Sequence, residues 1–246
     1  MNQPQLSLWE KVIFVDWHGV MSTDPFWESV LAQKTKLGSG LRIHLSKLFR
    51  SDTEIVDRWM RGEVTTSEVV EPTRRHFGKN HGSDFLERRI VEDCRMMSVD
   101  GDLASLFASL RDRVLIVLAT DNTAEFETAF RAAKGAPTGR PNDQTPITPT
   151  LNRIARNFDD ILCSASIGVL KAENPDVFFG TWLSQHSMPI YNSLLIDDRQ
   201  DNCQAFRRLG GRAINWDDST GPKPDRLAQI RDFVGTAAQA DSPFST

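Results

Sequence analysis

Four β-favouring apolar residues, Val12-Ile13-Phe14-Val15, run directly into an acid at Asp16, and a glycine follows three positions later at Gly19. A short run of this kind reads as a buried strand that ends in a tight turn, with the carboxylate at the strand's carboxyl end. In an open α/β sheet that is where ligands bind. A carboxylate there can attack phosphorus, bind a hard cation, or hydrogen-bond to its own turn, and the stretch by itself leaves all three open.

The same signature recurs later in the chain. From about residue 100, helix and strand patterns alternate. Leu103, Leu106, Phe107 and Leu110 mark a helix, and Val114 to Ala119 is a continuous apolar strand that ends at Thr120-Asp121-Asn122. Ile161-Leu162-Cys163 is a third strand, Ser193 to Ile196 a fourth that ends at Asp197-Asp198, and Arg212 to Trp216 a fifth. Helices separate them, and a final one covers Pro224 to Val234. Buried strands alternating with helices predict a doubly wound, parallel, Rossmann-like α/β sheet.

Residues 24–98 contain helical patterns and no convincing strand. Asp24-Pro25-Phe26-Trp27 predicts an N-cap with proline in the first turn, and a stop near Gly38. Leu41, Leu45, Leu48 and Phe49 fall on one helical face. Asp52-Thr53-Glu54-Ile55 opens another helix, which Gly62 ends, and Thr65 and Glu68 stand at capping-box spacing before a further one. Pro72 is expected to interrupt or kink that helix, and Ser83-Asp84 starts the last. The expected organisation is a core of residues 1–22 and 99–235, an all-helical cap of residues 23–98, and a disordered tail from 236 to 246. Residues 135–149, rich in Pro, Thr, Gly and Asn, read as a long polar loop.

The 246 residues are 39% hydrophobic and 25% charged, with a formal charge of -4 and no strong run of either sign. No electrostatic argument therefore favours nucleic acid or an anionic membrane as partner. The longest apolar run, Val114 to Ala119, is too short to span a bilayer, and Met1 to Gln5 lacks the basic and apolar character of a leader. Three widely spaced cysteines, Cys94, Cys163 and Cys203, form no metal-ligand pattern and suit a reducing, cytoplasmic compartment.

In a parallel sheet the ends at Asp16, Thr120 and Asp197-Asp198 lie on one edge. Three carboxylates gathered there repel unless a cation or protons compensate, and Mg2+ is the natural candidate because it prefers oxygen ligands and retains phosphate oxygens in its shell. Thr120 can donate its hydroxyl to a phosphate oxygen, and Lys171, before the helix around Phe178, supplies the point charge that an incoming phosphate needs.

Taken in order, Asp16-Trp17-His18-Gly19-Val20, Leu118-Ala119-Thr120, Gly168-Val169-Leu170-Lys171 and Leu195-Ile196-Asp197-Asp198-Arg199-Gln200-Asp201-Asn202 resemble the four motifs of the haloacid dehalogenase-like (HAD) superfamily. Trp59-Met60-Arg61-Gly62-Glu63-Val64-Thr65 resembles a segment common in the helical caps of that family. The resemblance implies a Mg2+-dependent phosphatase for a small phosphorylated metabolite, with Asp16 forming an aspartyl-phosphate. It also implies that Asp16, the His18 carbonyl and Asp198, with or without Asp197, hold the metal. Thr120 and Lys171 would orient the phosphoryl group, with Trp17, Asp121 and Asn122 as further substrate-contacting candidates.

One departure from the family pattern bears on mechanism. Phosphatases of the family usually carry a second aspartate two positions after the nucleophile, and this chain has His18. Imidazole can serve as acid and base. The alternative is that His18 contributes only its carbonyl, leaving a catalytically weak or inactive binding module of the same fold. The metal-free dehalogenase chemistry of the superfamily is disfavoured by the acidic pair, which without a cation adds unfavourable charge beside Asp16.

Overall fold

The structure is a computed structural model that describes residues 10–77, 84–136 and 150–235. Its centre is a five-stranded sheet of β1 (Val12–Val15), β2 (Leu115–Thr120), β3 (Asp160–Cys163), β4 (Ser193–Asp197) and β5 (Arg212–Asn215). The order is β3-β2-β1-β4-β5 and every pairing is parallel. β1 lies in the middle because it is apolar on both faces, all four of its residues being buried. The winding reverses at β1, with β2 on one side and β4 on the other, which opens a crevice at its carboxyl end.

Strand alternation sorts the core into two layers. Ile13, Val15, Ile116, Leu118, Leu194 and Ile196 face one side, against α6 (Gly101–Leu110), α7 (Ala124–Gly135) and α12 (Lys223–Gly235). Val12, Phe14, Val117, Ala119 and Leu195 face the other, where Phe178, Phe179, Trp182 and Phe206 close over them. Phe14 meets Phe179, Trp182 and Phe206 edge to face, with ring centroids 5.1, 5.4 and 5.9 Å apart. Among the described residues no helix is long and apolar enough to cross a membrane.

The connection from β1 to β2 is the expected helical cap, built from α1 (Glu28–Leu31), α2 (Lys36–Ser51), α3 (Thr53–Met60), α4 (Thr66–Phe77) and α5 (Phe85–Met96). Two local expectations fail there. No helix begins at Asp24-Pro25; α1 starts at Glu28 after Trp27, whose backbone is left-handed (φ 57°), and the Asp24 carboxylate instead accepts from the backbone N–H and hydroxyl of Ser98 at 2.6 and 2.7 Å. Gly38 does not stop a helix but lies in the first turn of α2, capped by Thr35. A Cβ at Gly38 would lie 2.5 Å from the Val30 carbonyl oxygen, so glycine is required by the approach of the α1 end rather than by a turn. Pro72 is accommodated within α4. The capping box forms as expected, Thr65 N–H donating to Glu68 at 2.7 Å and Glu68 N–H to the Thr65 hydroxyl at 3.2 Å. The expected polar loop falls largely, and the C-terminal tail wholly, outside the described residues.

The cap does not float over the core. Trp17, Phe26, Trp27 and Trp59 belong to the same apolar cluster as the α6–α7 face of the sheet, and α5 packs along α7. Beneath α3, the Met60 carbonyl accepts from the Ser164 hydroxyl at 2.6 Å and Arg61 pairs with Glu173 at 2.6 Å. Gly62 carries φ 71°, and a Cβ there would lie 2.5 Å from the Ala165 carbonyl oxygen. We expect Gly62→Ala to cost about 2 kcal/mol or more, because the turn is strained and pushed off the core at once; thermal denaturation beside wild type is the check.

Candidate functional site

The β1 ladder extends one residue beyond the strand, Asp16 N–H donating to the Ile196 carbonyl at 2.9 Å, and this fixes Asp16 at the crevice. The turn that follows closes on the Trp17 carbonyl, which accepts from Met21 and Ser22 N–H at 2.8 and 2.9 Å. Gly19 takes φ 81° within it, and a Cβ at this position would lie 2.1 Å from the Asp198 carboxylate. The β1 turn and the β4 end can come together only over a glycine.

Residues more than a hundred positions apart meet here. Lys171 is fully buried, with its ammonium 3.0 Å from Asp16, 2.5 Å from Asp197 and 3.1 Å from the Ala119 carbonyl. Thr120 hydrogen-bonds to the Asp16 carboxylate. Carboxylate oxygens of Asp16, Asp197 and Asp198 all lie within 4.8 Å of one another. These three acids do not have equal freedom. One oxygen of Asp197 accepts from Arg199 N–H (2.9 Å) and the Asn202 amide (3.1 Å), and the other from Lys171 and the Asn202 amide (3.2 Å). Asp197 is therefore engaged in holding Lys171, whereas Asp198 remains partly exposed beside Asp16.

The electrostatics follow from burial. Burial lowers the Lys171 pKa, but Asp16, Asp197 and Asp121 together outweigh it and hold the ammonium charged. Burial raises Asp16 and Asp197, while Lys171 pulls both down. Asp198 is pushed up to about 6 by burial and then by the charges of Asp16 and Asp197. One ammonium serves a cluster with an excess of carboxylates, which is the donor set and charge that a hard divalent cation satisfies.

Asp121 lines the crevice, but its carboxylate accepts from Lys171 N–H at 3.0 Å and so shapes the Lys171 loop. Burial raises its pKa. Two expected substrate contacts are placed elsewhere. Trp17 is fully buried, its indole N–H directed at the Met97 sulfur (3.2 Å) and its ring packed on Phe126. Asn122 is fully buried too, with its side-chain oxygen accepting from Thr123 N–H at 2.9 Å and its amide nitrogen 3.2 Å from His18 Nδ1. A large aromatic beside an acid and an amide at a strand end read from sequence as site residues; here Trp17 packs among core groups, and Asn122 turns its side chain to His18 and Thr123.

The Asn122 contact defines His18. With the Asn122 oxygen taken by Thr123, its –NH2 faces Nδ1, which must present a lone pair, so a neutral ring carries its proton on Nε2. Nε2 is buried without a hydrogen-bond partner, and the ring stands edge-on to Phe26 at 4.7 Å. Burial lowers the pKa to about 4, against an opposing contribution from Asp24.

Above Asp16 a cavity of about 670 Å³ extends into the cap. Its walls come from the β1 turn, α2, α3 and the residue before Lys171. Nothing in the sequence identified the lining of this cavity, nor Ser164, whose hydroxyl joins the Met60 carbonyl to Asn122 N–H (2.9 Å).

No protein-family model matches the chain, and no curated protein matches it. Solved structures do. A HAD-like family hydrolase from Porphyromonas gingivalis aligns over 90% of this chain and 98% of its own, at 17% identity and a TM-score of 0.56. A HAD family enzyme from Bacteroides thetaiotaomicron, solved as a magnesium complex, aligns over 89% and 98%, at 15% identity and a TM-score of 0.57. The L-2-haloacid dehalogenase of Xanthobacter autotrophicus, with chloropropionic acid covalently bound, aligns over 94% and 84%, at 14% identity and a TM-score of 0.56.

The His18 pKa makes a stability prediction. The folded value lies below the ordinary 6.5, so the unfolded chain binds the extra proton first. The His18 contribution is complete above pH 6.5 and is lost as pH falls toward 4, a change on the order of 3 kcal/mol. In EDTA, His18→Gln should flatten the acid limb of the denaturation midpoint over that window relative to wild type. Sheet order, strand-end site and inserted helices together give this chain the haloacid dehalogenase-like fold with a helical cap.

Proposed function

We propose that the protein is a Mg2+-dependent phosphatase in which Asp16 attacks the phosphorus of a small phosphorylated metabolite and forms an aspartyl-phosphate that water then releases. The observation that carries the reading is the cluster itself: a carboxylate at the crevice, an ammonium and a hydroxyl on that carboxylate, and a partly exposed second acid within 4.8 Å. The HAD family enzyme of Bacteroides thetaiotaomicron has also been solved with magnesium and inorganic phosphate, at 15% identity and a TM-score of 0.54, which supports the same ligands here.

Asp16, the His18 carbonyl and Asp198 would hold the cation, with Asp197 set back to anchor Lys171. When bound, Mg2+ supplies Lewis-acid polarisation of the phosphoryl oxygens. The chain's own residues do the rest. Lys171 neutralises the anion and opposes the rise that burial imposes on the Asp16 pKa, Thr120 orients Asp16 or a phosphoryl oxygen, and the cap excludes water from the crevice. The dehalogenase relatives share the fold, but a third carboxylate beside Asp16 opposes binding of an anionic haloacid without a cation.

His18 takes a narrower role than acid and base. Its Nδ1 is occupied by Asn122 and its Nε2 bears the proton, so the neutral ring can donate a hydrogen bond through Nε2 without carrying a proton back and forth. This arrangement also favours the second reading, a module that binds phosphate esters and turns them over slowly. The buried, unbridged cysteines are compatible with residence in the cytoplasm.

Two measurements test these statements. Phosphate release from a panel of monoesters should require Mg2+, stop in EDTA, and fall at least about a thousandfold in Asp16→Asn; undiminished turnover by that variant removes Asp16 as nucleophile. His18→Asp, which installs a carboxyl two positions after Asp16, should raise kcat for alkyl phosphates on the order of a hundredfold, the range for a positioned general acid. A wild-type rate equal to or above the variant's would restore imidazole as the proton donor, and calorimetric binding with no release in either protein would favour the binding module.

A further inference from the structure

The cavity above Asp16 has walls of unusual chemistry for a site that begins in charge. Phe26, Leu45, Phe49, Val56, Met60 and Leu170 line it. Phe49 is 44% exposed although it is a large apolar residue, so its ring faces space that a ligand can fill. Two of the polar lining groups are engaged elsewhere, Asp24 with Ser98 and Arg199 with Asp201 in a two-pronged pair, while Asp57 and the α2 residues Arg42, Ser46 and Arg50 also line the cavity. A polyhydroxylated leaving group would enter a wall that offers it few hydrogen-bonding partners and would forfeit its hydration. An aliphatic or aromatic one would be desolvated favourably.

The cavity also has a cationic lip. Arg42, Ser46 and Arg50 recur at helical spacing along α2 and all line it. Arg42 donates to the Leu31 carbonyl through one nitrogen only, and Arg50 has no hydrogen-bond or ion-pair partner among the described residues. Leu45 and Phe49, on the neighbouring row of the same helix, form the apolar wall beside them. Guanidinium groups beside an apolar wall can meet a planar anion in the bidentate geometry that arginine provides.

We infer that the substrate is a phosphate monoester whose leaving group is an apolar body ending in a carboxylate. The phosphate lies on the Asp16 side, the hydrocarbon lies against Phe26, Phe49 and Met60, and the carboxylate reaches Arg50 and Arg42. The assignment rests on the phosphatase reading for its reacting end and on the cavity walls for the remainder. Three esters with primary-alcohol leaving groups separate the possibilities: 6-(phosphooxy)hexanoate, hexyl phosphate and glucose 6-phosphate. The expected order of kcat/KM is as written, each step about tenfold. Phe49→Ala should raise KM for the two hydrocarbon esters about tenfold, and its partial exposure keeps the fold out of question. Arg50→Gln should erase the advantage that the carboxylate confers.

Calorimetric binding of the corresponding phosphonates to the Mg2+-loaded protein supplies a readout independent of turnover. Glucose 6-phosphate matching or exceeding hexyl phosphate, or a carboxylate that brings no gain, overturns the assignment in either assay. Phosphonates that bind in the predicted order to a protein that hydrolyses none of the esters would leave the pocket assignment standing and remove the hydrolytic reading instead.

Discussion

One buried ammonium group organises the functional end of this molecule. Lys171 has no access to solvent, and its charge is tolerated only because Asp16 and Asp197 lie within 3.0 Å and the Ala119 carbonyl completes its hydrogen bonds. Removing Lys171 would leave Asp16 and Asp197 as neighbouring buried carboxylates without their counter-charge, at a cost of several kcal/mol. That requirement ties together the ends of three strands and the loop after β3. Asn202 and the Arg199 N–H then hold Asp197 from the far side, so the ion pair is rigid as well as buried.

Rigidity at this point has a functional counterpart. With Asp197 committed to Lys171, Asp198 is the acid left facing Asp16, and its pKa is raised first by burial and then by the charges of Asp16 and Asp197. The sheet thus presents one carboxylate already paired with an ammonium and a second that lacks compensation. The glycine at position 19 allows this by removing the only side chain that would separate the two loops. Above them the cap is fastened to the core by Ser164, by Arg61 with Glu173, and by a shared apolar cluster. Its apolar cavity opens directly onto the acidic floor, so a single ligand can meet both environments.

Much of the fold was legible because strand and helix signals are local. Each of the five apolar runs formed a strand, and the described residues of the strand-free stretch between the first two are organised as helices. The misreadings have one cause. Asp24-Pro25 and Gly38 carry local signals for a helix start and stop, yet Asp24 is drawn to Ser98, seventy-four positions away in the chain, and Gly38 is needed for contact with the Val30 carbonyl. Tertiary partners outweighed local preference at both places. Trp17 and Asn122 failed as substrate contacts for a related reason: proximity in sequence to Asp16 and Thr120 says nothing about which way a side chain turns.

The residues alone determined the alternation of elements, the acids at the strand ends and the order of the motifs, because hydrophobic periodicity and turn chemistry are written position by position. Only the tertiary structure decided that Lys171 is clasped between Asp16 and Asp197, that Asn122 dictates which nitrogen of His18 bears the proton, and that α2 and α3 enclose an apolar chamber with an arginine rim. Those features depend on distances between segments remote in the chain, and such distances are set by how helices and sheet pack together rather than by any pattern within one of them.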